Sequence, residues 1–168
     1  MNWSVLKVVF VLTFAAMHIV QAPSKSWGGT ENCVGDDLSS LHRRDLPRLE
    51  KIHRDDYDSS AEGGAIDYYY DEGRISAIEA TYFGETGKLA LKVYLASQAS
   101  YQIDLREQKY SQPIRQLGWK VISDKAYTFY VCNGVVMQFW GDSDYLKSYD
   151  KAREILEILL AKAPIKTK

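Results

Sequence analysis

The chain predicts an α+β fold: an antiparallel β-meander of about five or six strands packed against a C-terminal helix, with a short N-terminal helix. Three observations carry this expectation. From Ala65 onward apolar and polar residues alternate with period two. The alternating runs are separated by compact turn signals, of which Asn133-Gly134 is the strongest. The last apolar stripe, Leu146, Tyr149, Ala152, Leu156 and Leu159, has helical spacing instead.

In chain order, Lys7 precedes an apolar stretch over residues 8–17, and Val20-Gln21-Ala22 offers small residues for a cleavage site. Residues 1–22 therefore read as a signal peptide. The stretch is shorter than the roughly 20 apolar residues a membrane span needs, so no stable membrane anchor is expected. Residues 23–35, with Pro23, Gly28, Gly29 and Gly35, read as a flexible leader. Residues 36–168 read as a single domain, long enough for one buried core.

Asp36 and Asp37 suit the start of a short helix, with Leu38 and Leu41 on one face, and Pro47 should push Leu46 out of the helical region. The charged run from Leu49 to Tyr57 fits an edge strand or a helix end equally well. Ile66, Tyr68 and Tyr70 then alternate with Asp67, Tyr69 and Asp71 before a turn at Glu72-Gly73. A β-rich run over residues 75–83 leads into a hairpin turn at residues 84–87. Leu89, Leu91, Val93 and Leu95 mark the clearest half-buried strand, and Tyr101, Ile103 and Leu105 mark the next. A looser stretch around Pro113 and Gly118 precedes Tyr127, Phe129 and Val131. Beyond Asn133-Gly134 come Val135, Met137 and Phe139. Asp142, Ser143 and Asp144 are placed to cap the final helix, which Pro164 should end.

The segments Tyr69-Tyr70-Asp71-Glu72-Gly73-Arg74-Ile75 and Thr81-Tyr82-Phe83-Gly84-Glu85-Thr86-Gly87-Lys88-Leu89 are similar to the aromatic hairpin repeats of a group of uncharacterised secreted bacterial proteins. Phe129-Tyr130-Val131-Cys132-Asn133-Gly134-Val135-Val136 repeats the pattern, and Ala61-Glu62-Gly63-Gly64 looks like that group's entry into its first strand. The resemblance covers roughly residues 46–141. It implies a meander and an exported bacterial setting, and no activity. Leu95-Ala96-Ser97-Gln98-Ala99 departs from it by replacing the Gly turn, which leaves the pairing of the two flanking strands open.

The chain carries 21 lysines and arginines against 22 aspartates and glutamates, a formal net charge of −1, and removal of Lys7 with the signal makes it one unit more negative. That balance argues against nucleic-acid partners. Both cysteines, Cys33 and Cys132, fall in the exported part, where an even count favours a disulfide. The single possible pairing closes a loop of about 100 residues and would stabilise by roughly 4 to 5 kcal/mol.

No catalytic constellation or cofactor motif stands out. His42 and His53 lack partners at metal spacing, so no metal site is expected. There is neither a Gly-x-Ser-x-Gly elbow nor a phosphate loop. Paired carboxylates such as Asp71-Glu72 or Asp142 with Asp144 sit at turns and caps.

All 12 tyrosines lie beyond the signal, and several fall on the polar phase of strands. Tyr69, Tyr94 and Tyr130, with Trp140, define an aromatic stripe on one sheet face, a surface suited to gripping a protein or a glycan. The alternative is that these rings pair across strands and lie under the N-terminal segment. The resulting expectation is a non-enzymatic binding protein of the bacterial envelope, periplasmic or secreted. One form of it is an inhibitor of a lytic enzyme that plugs the cleft with the turn at 84–87 or 133–134. The competing readings are a hydrolase assembled from dispersed residues such as Glu79, Asp104 and His53, and an assembly protein whose sheet edge pairs with another chain.

Overall fold

The structure is a computed structural model that describes residues 46–165 apart from Ser59, Ala61 and Gln98. The expected signal peptide, the leader, the helix at Asp36, His42 and Cys33 all lie outside the described residues. So do Asp37, Leu38 and Leu41.

Seven antiparallel strands form one sheet in sequence order: β1 (Glu50–Asp56), β2 (Gly64–Asp71), β3 (Arg74–Gly84), β4 (Gly87–Leu95), β5 (Ser100–Tyr110), β6 (Val121–Cys132) and β7 (Val135–Trp140). Helix α1 (Tyr145–Ala161) follows. The charged run that fitted two elements equally is the edge strand β1, and it helps bring the strand count to seven where about five or six were expected. A 3-10 turn, Leu46–Arg48, precedes it, so Leu46 stays in a helical turn despite Pro47.

The turns follow their residue chemistry. Glu72 and Gly73 have φ of 48° and 81°, and Asn133 and Gly134 have 50° and 76°, the double positive-φ geometry of a two-residue hairpin whose twist matches the strands it joins. The strands flanking residues 96–99 do pair, from Leu95 with Tyr101 to Gly87 with Lys109. The missing Gly turn is replaced by Ser97, whose hydroxyl accepts the backbone N–H groups of Ala99 and Ser100 at 3.1 and 3.0 Å.

The core lies on one face of the sheet, between it and α1. Ile66, Tyr68, Ile78, Leu91, Val93, Ile103, Leu105, Phe129 and Val131 meet Tyr149, Ala152, Leu156 and Leu159 there. Leu146, expected in this stripe, is 62% exposed, and in the first turn of α1 it is Tyr145 that packs on the core, stacked on Phe139 at a centroid separation of 3.7 Å. Asp144 occupies the N-cap but makes no side-chain cap hydrogen bond; its carboxylate accepts the Tyr127 hydroxyl at 2.8 Å and Lys125 Nζ at 3.3 Å instead. The C-terminal end of α1 is tied down by tyrosines. Tyr68 donates to the Leu159 carbonyl at 3.0 Å and Tyr70 to the Pro164 carbonyl at 2.8 Å.

In β7 the expected alternation of Val135, Met137 and Phe139 is broken. Phe139 pairs with Phe129, but a bulge shifts the register so that Val131 pairs with Val136. Val136 therefore packs on the core, and Val135 and Met137 are both 60% exposed.

Candidate functional site

The face of the sheet opposite α1 carries Tyr69, Tyr94, Tyr130, Trp140, Cys132, His53, Glu79 and Asp104, ordered into rows by the strand register. The first row runs Lys51, Tyr69, Ala77, Tyr94, Gln102, Tyr130 and Gln138. The aromatic stripe is thus real as an alignment, because period-two alternation on paired strands places these three tyrosines level with one another. It is not an exposed gripping surface. Tyr69 and Tyr130 are only 7% and 5% exposed, and Tyr94 is half-buried. Burial, with the hydrogen bond that Tyr69 donates to Glu79 at 3.0 Å, pushes the Tyr69 phenol up to about 12. Burial also raises Tyr94 and Tyr130. Trp140 is the exception: its edge meets the Tyr130 ring at a centroid separation of 5.3 Å while half of its surface stays open.

The second row is accessible and crosses all seven strands: His53, Asp67, Glu79, Lys92, Asp104, Thr128 and Trp140. It gathers the dispersed trio Glu79, Asp104 and His53 into one line, which the sequence could not show. Each member is held by neighbours. His53 Nδ1 and Asp67 lie 2.6 Å apart, and Lys51 donates to the same carboxylate at 3.1 Å. The bond to Asp67 raises the His53 pKa above its usual value against the opposing effect of desolvation. Partial burial pushes Asp67 up, but the bonds from His53 and Lys51 outweigh it and hold the carboxyl below its usual range. Lys92 donates to Glu79 at 2.7 Å. Asp104 accepts Gln102 Nε2 at 2.9 and 3.1 Å and the Thr128 hydroxyl at 2.8 Å. Lys92 stands between Glu79 and Asp104 in the register, so the two carboxylates do not face each other across an open gap.

A third row consists mainly of small side chains, Ala65, Thr81, Ala90 and Ala126, crossed by Arg106. Arg106 forks onto Asp124 at 2.8 and 2.5 Å, and that bidentate bond holds the Asp124 pKa down at about 2. Beside β1 a hollow of about 430 Å³ reaches Tyr69 and Glu79 between Leu46, Pro47, Leu49 and Lys51.

Cys132 is 4% exposed at the end of β6, on this same face as Tyr130, and accepts the Ser100 hydroxyl at 3.7 Å. Its expected partner Cys33 lies outside the described residues. Among the described residues no group of three or more His, Cys, Asp or Glu side chains is arranged to hold a metal ion. Among them, too, no helix is long and apolar enough to cross a membrane.

Sequence reasoning missed a second feature, on the face that carries α1. The helix covers only part of that face, and beyond its N-terminal end the sheet floors a half-open cavity of about 560 Å³. Tyr82, Leu89, Glu107 and Lys125 form one row of the floor, and Gly84, Gly87, Lys109 and Ser123 the next. The available signal was the i, i+4 pair Lys147 and Lys151 on one side of α1, which the apolar stripe overshadowed.

No family model, curated protein or solved structure matches the chain.

Proposed function

We propose that the chain is an exported, non-enzymatic binding protein of a bacterial envelope, periplasmic or secreted, that grips a glycan across the sheet face opposite α1. The observation that carries this reading is the row of hydrogen-bonding side chains from His53 to Thr128, paired as His53–Asp67, Lys92–Glu79 and Thr128–Asp104 and ended by the half-exposed Trp140. A saccharide offers hydroxyls to such a row and a flat C–H face to an indole. The row of small residues beside it leaves room for a sugar ring to approach the sheet. The gripping surface is accordingly Trp140 with the polar row, and Tyr69 and Tyr130 flank it in the neighbouring row.

The same proposal includes cleavage after residue 22 and a Cys33–Cys132 disulfide. Cys132 is buried, and no described cysteine is a free thiol. It also includes kinship with the secreted aromatic-hairpin proteins, which rests on the repeated segments alone.

The test is a pull-down of the mature protein on isolated cell-wall glycan, run with Trp140→Ala and with a Lys92→Ala, Thr128→Ala double variant. Retention of the parent and loss from both folded variants is expected. Equal retention of all three, or none for the parent, contradicts the proposal.

One observation favours an assembly role as a second reading. Edge strand β1 is charged along its length, whereas edge strand β7, Val135–Trp140, carries no charge and exposes Val135, Met137, Phe139 and Trp140. Concentration-dependent dimerisation in size-exclusion chromatography, abolished by Met137→Lys, is the outcome that reading requires.

A further inference from the structure

The cavity beyond the N-terminal end of α1 is unusual in its charge. Four lysines on this face line it, Lys109, Lys125, Lys147 and Lys151, against two carboxylates, Glu107 and Asp144, while Lys88 at the rim turns to the other face over the Phe83 ring. Both carboxylates are already neutralised from within: Lys151 pairs with Glu107, and Lys125 with Asp144 at 3.3 Å. No carboxylate among the described residues comes within ion-pair distance of Lys109 or Lys147. Two ammonium groups are left to face one partly enclosed space, where water screens them less than on an open surface. Like charges held together in this way destabilise the empty protein, and an anion entering the cavity relieves them.

The rest of the lining narrows the choice of anion. Tyr82 and Leu89 give the floor an apolar part, and the hydroxyls of Ser60, Ser123 and Ser148 stand around it. Bare glycines, Gly84 and Gly87, form the row beside Lys109 and keep the floor open. A volume of about 560 Å³ lies within the range of small-ligand sites. Inorganic phosphate would use the charge and leave the apolar floor and most of the volume empty. A neutral sugar would use the floor and hydroxyls and leave the ammonium groups unrelieved.

We infer that this cavity is a binding site for a sugar phosphate, with the phosphate held by Lys109 and Lys147 and the sugar ring lying over Tyr82 and Leu89. It lies on the opposite side of the sheet from the proposed glycan surface and does not depend on that reading.

Isothermal titration of the full mature protein with glucose 6-phosphate, glucose and inorganic phosphate tests this inference. Glucose 6-phosphate should bind saturably and more tightly than either of the others. A Lys109→Gln, Lys147→Gln variant should weaken it about tenfold or more, and raising salt from about 0.05 to about 0.5 M should weaken it further. Gly84→Leu separates a lined cavity from a diffuse basic surface. A Cβ there meets only the Gly87 carbonyl oxygen at 3.6 Å, an ordinary contact, so the substitution starts without a backbone clash and adds bulk without changing the charge. It should abolish binding while circular dichroism stays unchanged. Absence of saturable binding, equal affinity for inorganic phosphate, or unchanged binding in folded Gly84→Leu would overturn the inference.

Discussion

The hydroxyl of Tyr68 on β2 donates to the carbonyl of Leu159 in the last turn of α1 across 3.0 Å, with the tyrosine fully buried. The last four carbonyls of a helix have no intrahelical donor, so this bond satisfies a buried group that would otherwise be left unpaired. It also fixes which end of the sheet α1 lies against.

Tyr68→Phe keeps the ring in the core and removes only the hydroxyl. It should cost about 1 to 3 kcal/mol, the penalty of an unpaired buried carbonyl. Urea unfolding monitored by circular dichroism measures it, and a neutral result would show that water reaches Leu159 in the variant.

The glycines should rank by surroundings as well as by backbone. A Cβ on Gly73, at φ 81°, meets nothing within 4 Å, so Gly73→Ala should cost about 1 kcal/mol from the left-handed conformation alone. A Cβ on Gly141 would lie 2.3 Å from Tyr127 Cδ1, and Tyr127 in turn holds Asp144 at the start of α1. Gly141→Ala should therefore be clearly the more damaging of the two in thermal unfolding.

The His53–Asp67 pair predicts a pH window. The raised His53 pKa means that its contribution is present in full below the unfolded value near 6.5 and is lost as pH rises through the folded value. The lowered Asp67 pKa means that its contribution is present above about 3.8 and is lost as pH falls through the folded value. The attachment of β1 should accordingly be firmest between about pH 4 and 6.5. NMR titration should give His53 a midpoint above 6.5, and Asp67→Asn should bring it back toward 6.5.

Much of the meander was legible because its turns and strand faces obey local chemistry. Glu72-Gly73 and Asn133-Gly134 adopt the positive φ angles their residues favour, and Leu91, Val93 and Leu95 go into the core as their alternation requires. β1 was ambiguous because it is an edge strand with six of its seven residues at least partly exposed, so burial imposes little alternation on its sequence. The β7 bulge was hidden because apolar residues on both of its phases left the register unmarked. At the site, period and pairing aligned Tyr69, Tyr94 and Tyr130, but alternation cannot tell an exposed phase from a covered one. The row joining His53 to Trp140 needed the register of all seven strands, and no local signal contains it. The lysine cavity needed one thing more, the point along the sheet at which α1 stops covering it.

The most direct measurement of the central claim is an NMR titration of the isotope-labelled mature protein with soluble cell-wall glycan fragments. Shifts concentrated at Lys92, Asp104, Thr128 and the Trp140 indole, with little change along α1, are predicted. Shifts confined to α1 or the β7 backbone edge, or no shifts at millimolar fragment, would contradict the claim.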